Sequence, residues 1–501
     1  MLFAVVAANV ASRVVSEGLC CLDDANAAVP ARNLAAGLGY ASSYPSEPRR
    51  PHDVIAFEPA ITTGPTLGLP VAGAIALLGA RYWIPGAVTA LVIGVLVLGS
   101  APLLRPLVDR DWGAWRILAV WLALAQLISI GRMEQWSAML GEVPAALLVI
   151  ASTALVARDR ASLRSAAGAG VLFGLALGCK TIALFGLVAP LAAIVATGRT
   201  PAGRGRTRRT LGVFAVGALG PPAAWAAFQL ATLGVDGFLD VQRRFLRFVA
   251  MHPGSGVTSL HAGDGGVSME IVRAHLAALD AELRVPLGGA ALAIAWIGLV
   301  AATAPGKRGT HRLAFSLALA AAGDAAWWLV VAPEGRIRYL LVALLLFAMA
   351  VAAIAADIPR SRSAVSVVAL AGFALLGRVA ALPSWAPPRP WFERSARVEA
   401  MLATAAFLDR IPEPRTFVAD WMGSAIDLEY LLRRPASFTH DVFFEPASAP
   451  NAWVVRDERA LGPRSDAGAS ARLDAAIERC GGRLAFSRPP YAVHRCERGV
   501  P

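Results

Sequence analysis

Charged residues are scarce in this chain: they make up 16% of its 501 residues, whereas hydrophobic residues make up 56% and the mean hydropathy is +0.56. Soluble domains carry roughly 25% charged residues, so this scarcity argues against a water-soluble enzyme, and the apolar content excludes a disordered chain. Only two of the 47 basic residues are lysines, Lys180 and Lys307. The five cysteines show no four-ligand zinc spacing, and no nucleotide-binding Rossmann segment occurs. What the sequence does contain is long apolar runs, which predict a polytopic membrane protein.

These apolar runs predict an all-α transmembrane bundle of about eleven helices. A bilayer-spanning helix needs about 20 mostly apolar residues, and a first span at 1–19 is interrupted by Arg13 and Glu17. The stretch 64–80 would break the alternation of sides, so we predict that it lies against the outer leaflet. The other predicted spans are 84–104, 115–131, 142–157, 166–179, 181–197, 211–231, 287–304, 313–332, 339–356 and 364–382.

Arginine-rich loops alternate with loops that contain few basic residues, and this pattern predicts the orientation. The basic loops follow the spans that end near 104, 157, 197, 304 and 356, and the positive-inside rule puts them in the cytoplasm. The segments 20–83 and 232–286, and everything after 383, are then outer segments. We therefore interpret the net charge of +12 as a topology signal in a multi-pass protein of the plasma (inner) membrane, with no nucleic-acid partner.

Residues 383–501 have a different character from the bundle at 1–382. A proline-rich joint, WAPPRPW, precedes predicted helices at 395–409 and 469–479 and strand-like runs at 415–419, 452–455, 483–487 and 490–495. We predict a small extracytoplasmic α/β domain. Cys480 and Cys496 flank a predicted hairpin, and they form either a disulfide, which an outer location permits, or two free thiols. Cys20, Cys21 and Cys179 are interpreted as small apolar fillers.

Two adjacent carboxylates, Asp23 and Asp24, directly follow the first apolar segment. Desolvation at a membrane boundary is costly for such a pair. Either both aspartates are solvated at a helix end, or one of them is a general base that takes a proton from an acceptor hydroxyl. The sequence does not distinguish Asp23 from Asp24 as that base.

The segments around this pair resemble the C-type glycosyltransferases, polytopic enzymes that include the protein O-mannosyltransferases and the aminoarabinose transferase of lipid A (the GT-C fold, glycosyltransferase family 39 type). In that family an acidic residue or pair follows the first span, then a helix of A-x-x-L-x-x-G-x-G character, then a membrane-lying helix. This chain has LDDANAAVP, ARNLAAGLGYASSYP and FEPAITTGPTLGLPVAGAIALLG in that order. Looser matches follow in LGEVPAALL, GVLFGLALGCKTIAL and RYLLVALL. Together they cover most of residues 20–382.

The resemblance implies an inverting transfer of a sugar from a polyprenyl-phosphate donor, with Asp23 or Asp24 as catalytic base. Cations would then neutralise the leaving phosphate. Lys180 and Arg338 are predicted on the outer side, where the positive-inside rule disfavours basic residues. Each also has a simpler explanation: Lys180 as a lysine that snorkels at a helix end, and Arg338 as an arginine paired with a nearby acid. The candidate phosphate-binding residues are Lys180, Arg336, Arg338 and Arg243. Arg243 belongs to a predicted amphipathic helix, and the alternative is that this helix only lies among the lipid headgroups.

Three glutamates are accessory candidates. Glu58, Glu134 and Glu142 either orient the acceptor or hold a divalent metal, or they are ordinary acids at helix ends. No cofactor is certain, and the acceptor is left open as a lipid, a glycan or a protein. Two further functions stay open: a transporter or flippase for a lipid-linked saccharide, against which the lack of an internal repeat argues, and a non-catalytic protein of the same fold.

Overall fold

A computed structural model describes most of the chain, over a set of separate ranges. Those ranges are 2–42, 55–58, 63–108, 113–128, 135–158, 162–197, 203–251, 269–283, 296, 309–330, 337–357, 393–412, 416–419, 425–433, 437–440, 452–457 and 469–496. The helices, numbered in chain order, are α1 Leu2–Glu17, α2 Leu22–Ala35, α3 Pro65–Leu78, α4 Ile84–Leu104, α5 Gly113–Ile128, α6 Glu142–Val156, α7 Leu163–Cys179, α8 Val188–Thr197, α9 Gly203–Met251, α10 Met269–Leu283, α11 Gly309–Val330, α12 Leu341–Asp357, α13 Ala396–Leu408, α14 Ala425–Leu431 and α15 Ala469–Arg479.

Four apolar segments of the described chain are long enough to cross a membrane. They are Ile84–Leu107, Gly205–Phe248, Gly309–Val330 and Arg338–Ala355. Shorter apolar helices occupy Pro65–Leu78, Gly113–Gln126, Glu142–Val156, Leu163–Cys179 and Thr181–Thr197. Apart from Trp296, the predicted spans at 287–304 and 364–382 lie outside the described residues. The mostly helical, apolar architecture is confirmed, while the number of eleven spans stays a prediction.

Two helices have shapes that matter for the site. Helix α3 has 14 residues, which at 1.5 Å per residue gives about 21 Å and is short of the roughly 30 Å hydrocarbon core. Helix α9 is broken at Gly234, whose φ of 68° lies in the left-handed region that favours glycine. The break separates the mostly apolar stretch 210–233 from the part of α9 that carries Arg243 and Arg244.

The core of the bundle is built around α6, which is buried along almost its whole length. A helix that is apolar all round is the one expected at the centre of a bundle. Helix α7 packs against both α6 and α9, and its contact with α9 passes through glycines. A Cβ atom at Gly170 would collide with the backbone carbonyl of Phe214, so only glycine permits this close approach.

The carboxyl-terminal residues form a five-stranded sheet in the order β4-β3-β5-β7-β6. Strands β4, β3 and β5 are parallel, and β5, β7 and β6 are antiparallel. A two-stranded antiparallel ladder, β1 with β2, lies between α2 and α3. The strand bounds are β1 Ala41–Ser42, β2 Ile55–Ala56, β3 Thr416–Ala419, β4 Ser437–His440, β5 Ala452–Asp457, β6 Arg483–Arg488 and β7 Tyr491–Arg495. Four of the sheet's strands overlap the runs that the sequence analysis identified, whereas β4 was not identified.

Candidate active site

Asp23 lies in the first turn of α2 and forms an ion pair with Arg338. Arg338 belongs to the short helical turn Ile337–Leu340 just before α12, so the pair joins residues 315 positions apart. The Asp23 side chain is 36% exposed and that of Arg338 is 15% exposed. This carboxylate is therefore reachable from solvent while a cation holds it in place.

Glu142 joins this pair to Lys180. Its Oε1 atom lies 3.7 Å from Arg338 Nε and 3.5 Å from Lys180 Nζ, and its side chain is 1% exposed. Gly141, with a φ of 87°, is the residue before α6, and a Cβ atom there would meet the carbonyl of Cys179. That close approach brings the start of α6 against the end of α7, where Lys180 follows. Asp23, Arg338, Glu142 and Lys180 thus form a continuous array of alternating charge, which we call the charge array.

Asp24 has a different environment from Asp23 although the two are neighbours. Its Oδ2 accepts the backbone N–H of Cys20 at 2.9 Å and its Oδ1 accepts that of Met139 at 2.8 Å. Burial raises the pKa of Asp24 from an ordinary 3.8 to about 7, and the two N–H donors oppose that rise. Both oxygens are thus engaged with backbone, and the carboxylate ties α2 to the segment before α6.

An apolar cavity of about 970 Å³ adjoins the charge array. Gly178 and Thr181, on either side of Lys180, line this cavity, and Thr63 in its wall pairs with Lys180 in a β-bridge. Side chains from α3, α7, α9 and the preceding loops close around it, among them Tyr40, Phe57, Leu175, Leu184, Trp225 and Phe228. The rings of Tyr40 and Phe57 pack edge to face with Trp225, at centroid distances of 5.1 and 5.4 Å. The cavity is thus a mostly apolar space next to a group of charged side chains.

Glu58 lines this cavity and lies opposite Arg244. Glu58 Oε2 lies 3.9 Å from Arg244 Nη1, and Arg244 Nη2 also donates to the carbonyl of Ala56 at 3.4 Å. Arg243, the sequence candidate on this helix, is exposed instead. Successive residues of a helix point about 100° apart, so Arg244 lies against Glu58 while Arg243 points elsewhere. Sequence reasoning chose the neighbour, and no signal in the local sequence separates the two.

The remaining sequence candidates are distributed as follows. Arg336 and Glu134 lie outside the described residues. Among the residues that are described, no group of three or more His, Cys, Asp or Glu side chains is arranged to hold a metal ion. Sequence reasoning also missed Arg397 and Asp427, which pair at 2.9 Å and lie near Asp24.

The cysteines fall into two pairs and one buried thiol. Cys480 and Cys496 form a disulfide with a Cα separation of 5.1 Å. Cys20 and Cys21 also form a disulfide, so their interpretation as apolar fillers is wrong. The two residues are adjacent, with a Cα separation of 3.8 Å, and their side chains turn toward each other just before α2. Cys179 is the buried free cysteine at the end of α7.

Comparison with known proteins gives structural likeness without sequence likeness: no family model and no curated protein matches the chain. The aminoarabinose transferase ArnT from Cupriavidus metallidurans, in the apo state, is 14% identical with a TM-score of 0.45, over 99% of this chain and 97% of that one. The same enzyme bound to undecaprenyl phosphate is 15% identical with a TM-score of 0.43, again over 99% of this chain and 97% of that one.

A third structure matches with a higher TM-score. The archaeal oligosaccharyltransferase AglB from Archaeoglobus fulgidus, in complex with an inhibitory peptide and a dolichol-phosphate, is 12% identical with a TM-score of 0.50, over 100% of this chain and 75% of that one. At this identity the likeness shows the fold. The chain therefore has the GT-C fold of a membrane glycosyltransferase, which confirms the fold that the sequence resemblance implied.

Proposed function

We propose that the chain is an integral-membrane glycosyltransferase that transfers a sugar from a polyprenyl-phosphate donor to an acceptor hydroxyl or amine on the outer face of the plasma membrane. The observation that carries the proposal is the charge array beside the 970 Å³ apolar cavity. A polyprenyl-phosphate sugar needs both environments, because its lipid requires an apolar cavity and its phosphate requires fixed cations. AglB, whose fold the chain shares, was captured with a dolichol-phosphate.

Asp23 is the general base in this proposal, because it combines exposure with a fixed orientation. The acceptor nucleophile attacks the anomeric carbon, its proton passes to an Asp23 oxygen, and the bond from that carbon to the phosphate oxygen breaks. The electron pair of that bond leaves on the polyprenyl phosphate, so a single displacement inverts the anomeric centre. Asp24 serves as a scaffold residue, since its two oxygens are occupied by backbone N–H groups.

Lys180 and Arg338 supply the cations for the leaving phosphate. In the absence of donor they share Glu142 as counter-ion. A phosphate that enters between them exchanges one anion for another, and neither cation has to give up a favourable partner without replacement. Arg244 acts through Glu58, the cavity-lining carboxylate with which it pairs.

Transfer of radiolabelled sugar from a polyprenyl-phosphate donor, in membranes that contain the full chain, tests the proposal. We expect Asp23→Asn to lose transfer while the protein stays folded and inserted. An exposed carboxylate away from the site, Glu478→Gln on α15, is the matched control and should keep wild-type transfer. Full activity of Asp23→Asn would contradict the base assignment, and lipid flipping without transfer would favour a transporter.

A further inference from the structure

A second cavity, of about 1320 Å³, lies where the turn between α3 and α4 meets α13 and the end of α14. It shares no lining residue with the apolar cavity of the proposed donor site. Among the residues that the structure describes, four arginines and one carboxylate, that of Asp409, line it. The arginines are Arg81, Arg394, Arg410 and Arg433.

The positive charge of this cavity is only partly balanced from within. Both oxygens of Asp409 accept the backbone N–H of Arg433, at 3.0 and 3.2 Å, so this carboxylate is already engaged with backbone. Arg394 lies over the ring of Tyr82 and 3.7 Å from Glu399, in a pair that is half-exposed on both sides. The guanidinium groups of Arg81, Arg410 and Arg433 belong to exposed residues. A concave surface with this imbalance attracts an anion, and paired guanidinium groups match phosphate geometry.

The rest of the lining is apolar and aromatic. Leu78, at the end of α3, lines the cavity beside Tyr82 and Trp83. Leu77 and Leu78 are 85% and 55% exposed, although they belong to one of the most apolar helices of the chain. Exposed leucines beside a Tyr-Trp pair and an arginine are the pattern of a surface that meets lipid at the level of the headgroups. The cavity therefore offers cations and an adjoining apolar surface together.

We propose that this cavity binds an anionic membrane lipid, with the arginines on its phosphate and the leucine end of α3 against its acyl chains. The inference is independent of glycosyl transfer: it requires only that the chain sits in a membrane. Lipid in this cavity would clamp the turn before α4 to the α13–α14 region, because each contributes arginines to it.

Native mass spectrometry of the full chain in detergent tests the proposal, with dioctanoyl phosphatidylglycerol, dioctanoyl phosphatidylcholine and inorganic phosphate as separate probes. We expect wild type to bind phosphatidylglycerol at least tenfold more tightly than either other probe. The double variant Arg81→Gln with Arg433→Gln should lose at least tenfold in that affinity, since it removes two of the four guanidinium groups that line the cavity.

Two further variants keep the test decisive. Arg479→Gln with Arg488→Gln removes the same charge from exposed positions outside the cavity and should bind like wild type. Arg81→Lys with Arg433→Lys should retain most of the binding, which separates loss of charge from loss of fold. Equal binding by the glutamine and wild-type proteins would overturn the proposal, as would inorganic phosphate binding as tightly as the lipid.

Discussion

Substitution of the two neighbouring aspartates should affect different properties of the protein. Asp23→Asn keeps the shape of the side chain and removes its charge, so it loses the ion pair with Arg338 and any ability to accept a proton. A partly exposed ion pair contributes at most about 1 kcal/mol, and Arg338 keeps Glu142 at 3.7 Å. Removal of a general base typically costs roughly 10²- to 10⁴-fold in rate. We therefore expect a large loss in kcat and almost no change in melting temperature.

Asp24→Ala should show the opposite behaviour. It removes the acceptor for the N–H groups of Cys20 and Met139, and an unpaired buried N–H costs about 1–3 kcal/mol. Activity per folded molecule should stay near that of wild type. Transfer of sugar and thermal unfolding, both measured in the same detergent, separate the two effects. A folded Asp24→Ala protein without activity, beside an active Asp23→Asn protein, would refute the assignment of roles.

The pH dependence of stability gives an independent check on Asp24. Its pKa is raised from 3.8 to about 7 in the folded protein, so the folded state holds the proton more tightly than the unfolded chain does. The associated stability is fully present below about pH 4 and is lost as pH rises through 7. The upper bound is about 4 kcal/mol over that window, at 1.36 kcal/mol per pKa unit. Asp24→Ala should weaken the dependence of the free energy of unfolding on pH between about pH 4 and 7. An unchanged dependence would show that Asp24 does not titrate in that range.

Three other predictions concern the donor, the packing and the topology. Lys180→Ala should raise KM for the polyprenyl-phosphate sugar at least tenfold, whereas Lys180→Arg should keep KM close to that of wild type. An unchanged donor affinity in Lys180→Ala would exclude a phosphate role. Gly170→Ala should lower the melting temperature, because its Cβ would meet the backbone of α9, while Gly212→Ala, with open space around it, should not. Cysteines placed at Ser487 and Ser162 should be labelled by an impermeant maleimide from the outer and the cytoplasmic side respectively, and labelling from the same side would contradict the predicted topology.

Much of the fold follows from patterns that are local in the sequence. Apolar runs indicate where the bundle helices lie, and the alternation of basic loops predicts their orientation, because both depend on transfer of single segments into lipid. The sequence resemblance between residues 20 and 382 correctly implied the GT-C fold. The break at Gly234 lies three residues after the predicted end of the span 211–231, although the glycine itself was not singled out.

The candidate site could be predicted only as a set of residue types. Adjacency in sequence made Asp23 and Asp24 equivalent, and the distinction between them comes from Arg338 on one side and the Met139 N–H on the other, 315 and 115 residues away. For the same reason Arg243 was preferred to Arg244, although only Arg244 faces Glu58. Long-range packing determines which member of such a pair is desolvated and which stays accessible.

The arrangement also explains why a charged array can persist inside an apolar bundle. A lone carboxylate such as Glu142, 1% exposed, would be costly to bury. Here it lies between two cations, and one of these cations also holds Asp23, so the charges alternate from solvent inward. If an anionic phosphate takes the place of Glu142 between Lys180 and Arg338, Glu142 loses both counter-ions and its burial becomes more costly. Donor binding should therefore be tighter in Glu142→Gln than in wild type, and release of the polyprenyl phosphate slower, which a lower KM together with a lower kcat would reveal.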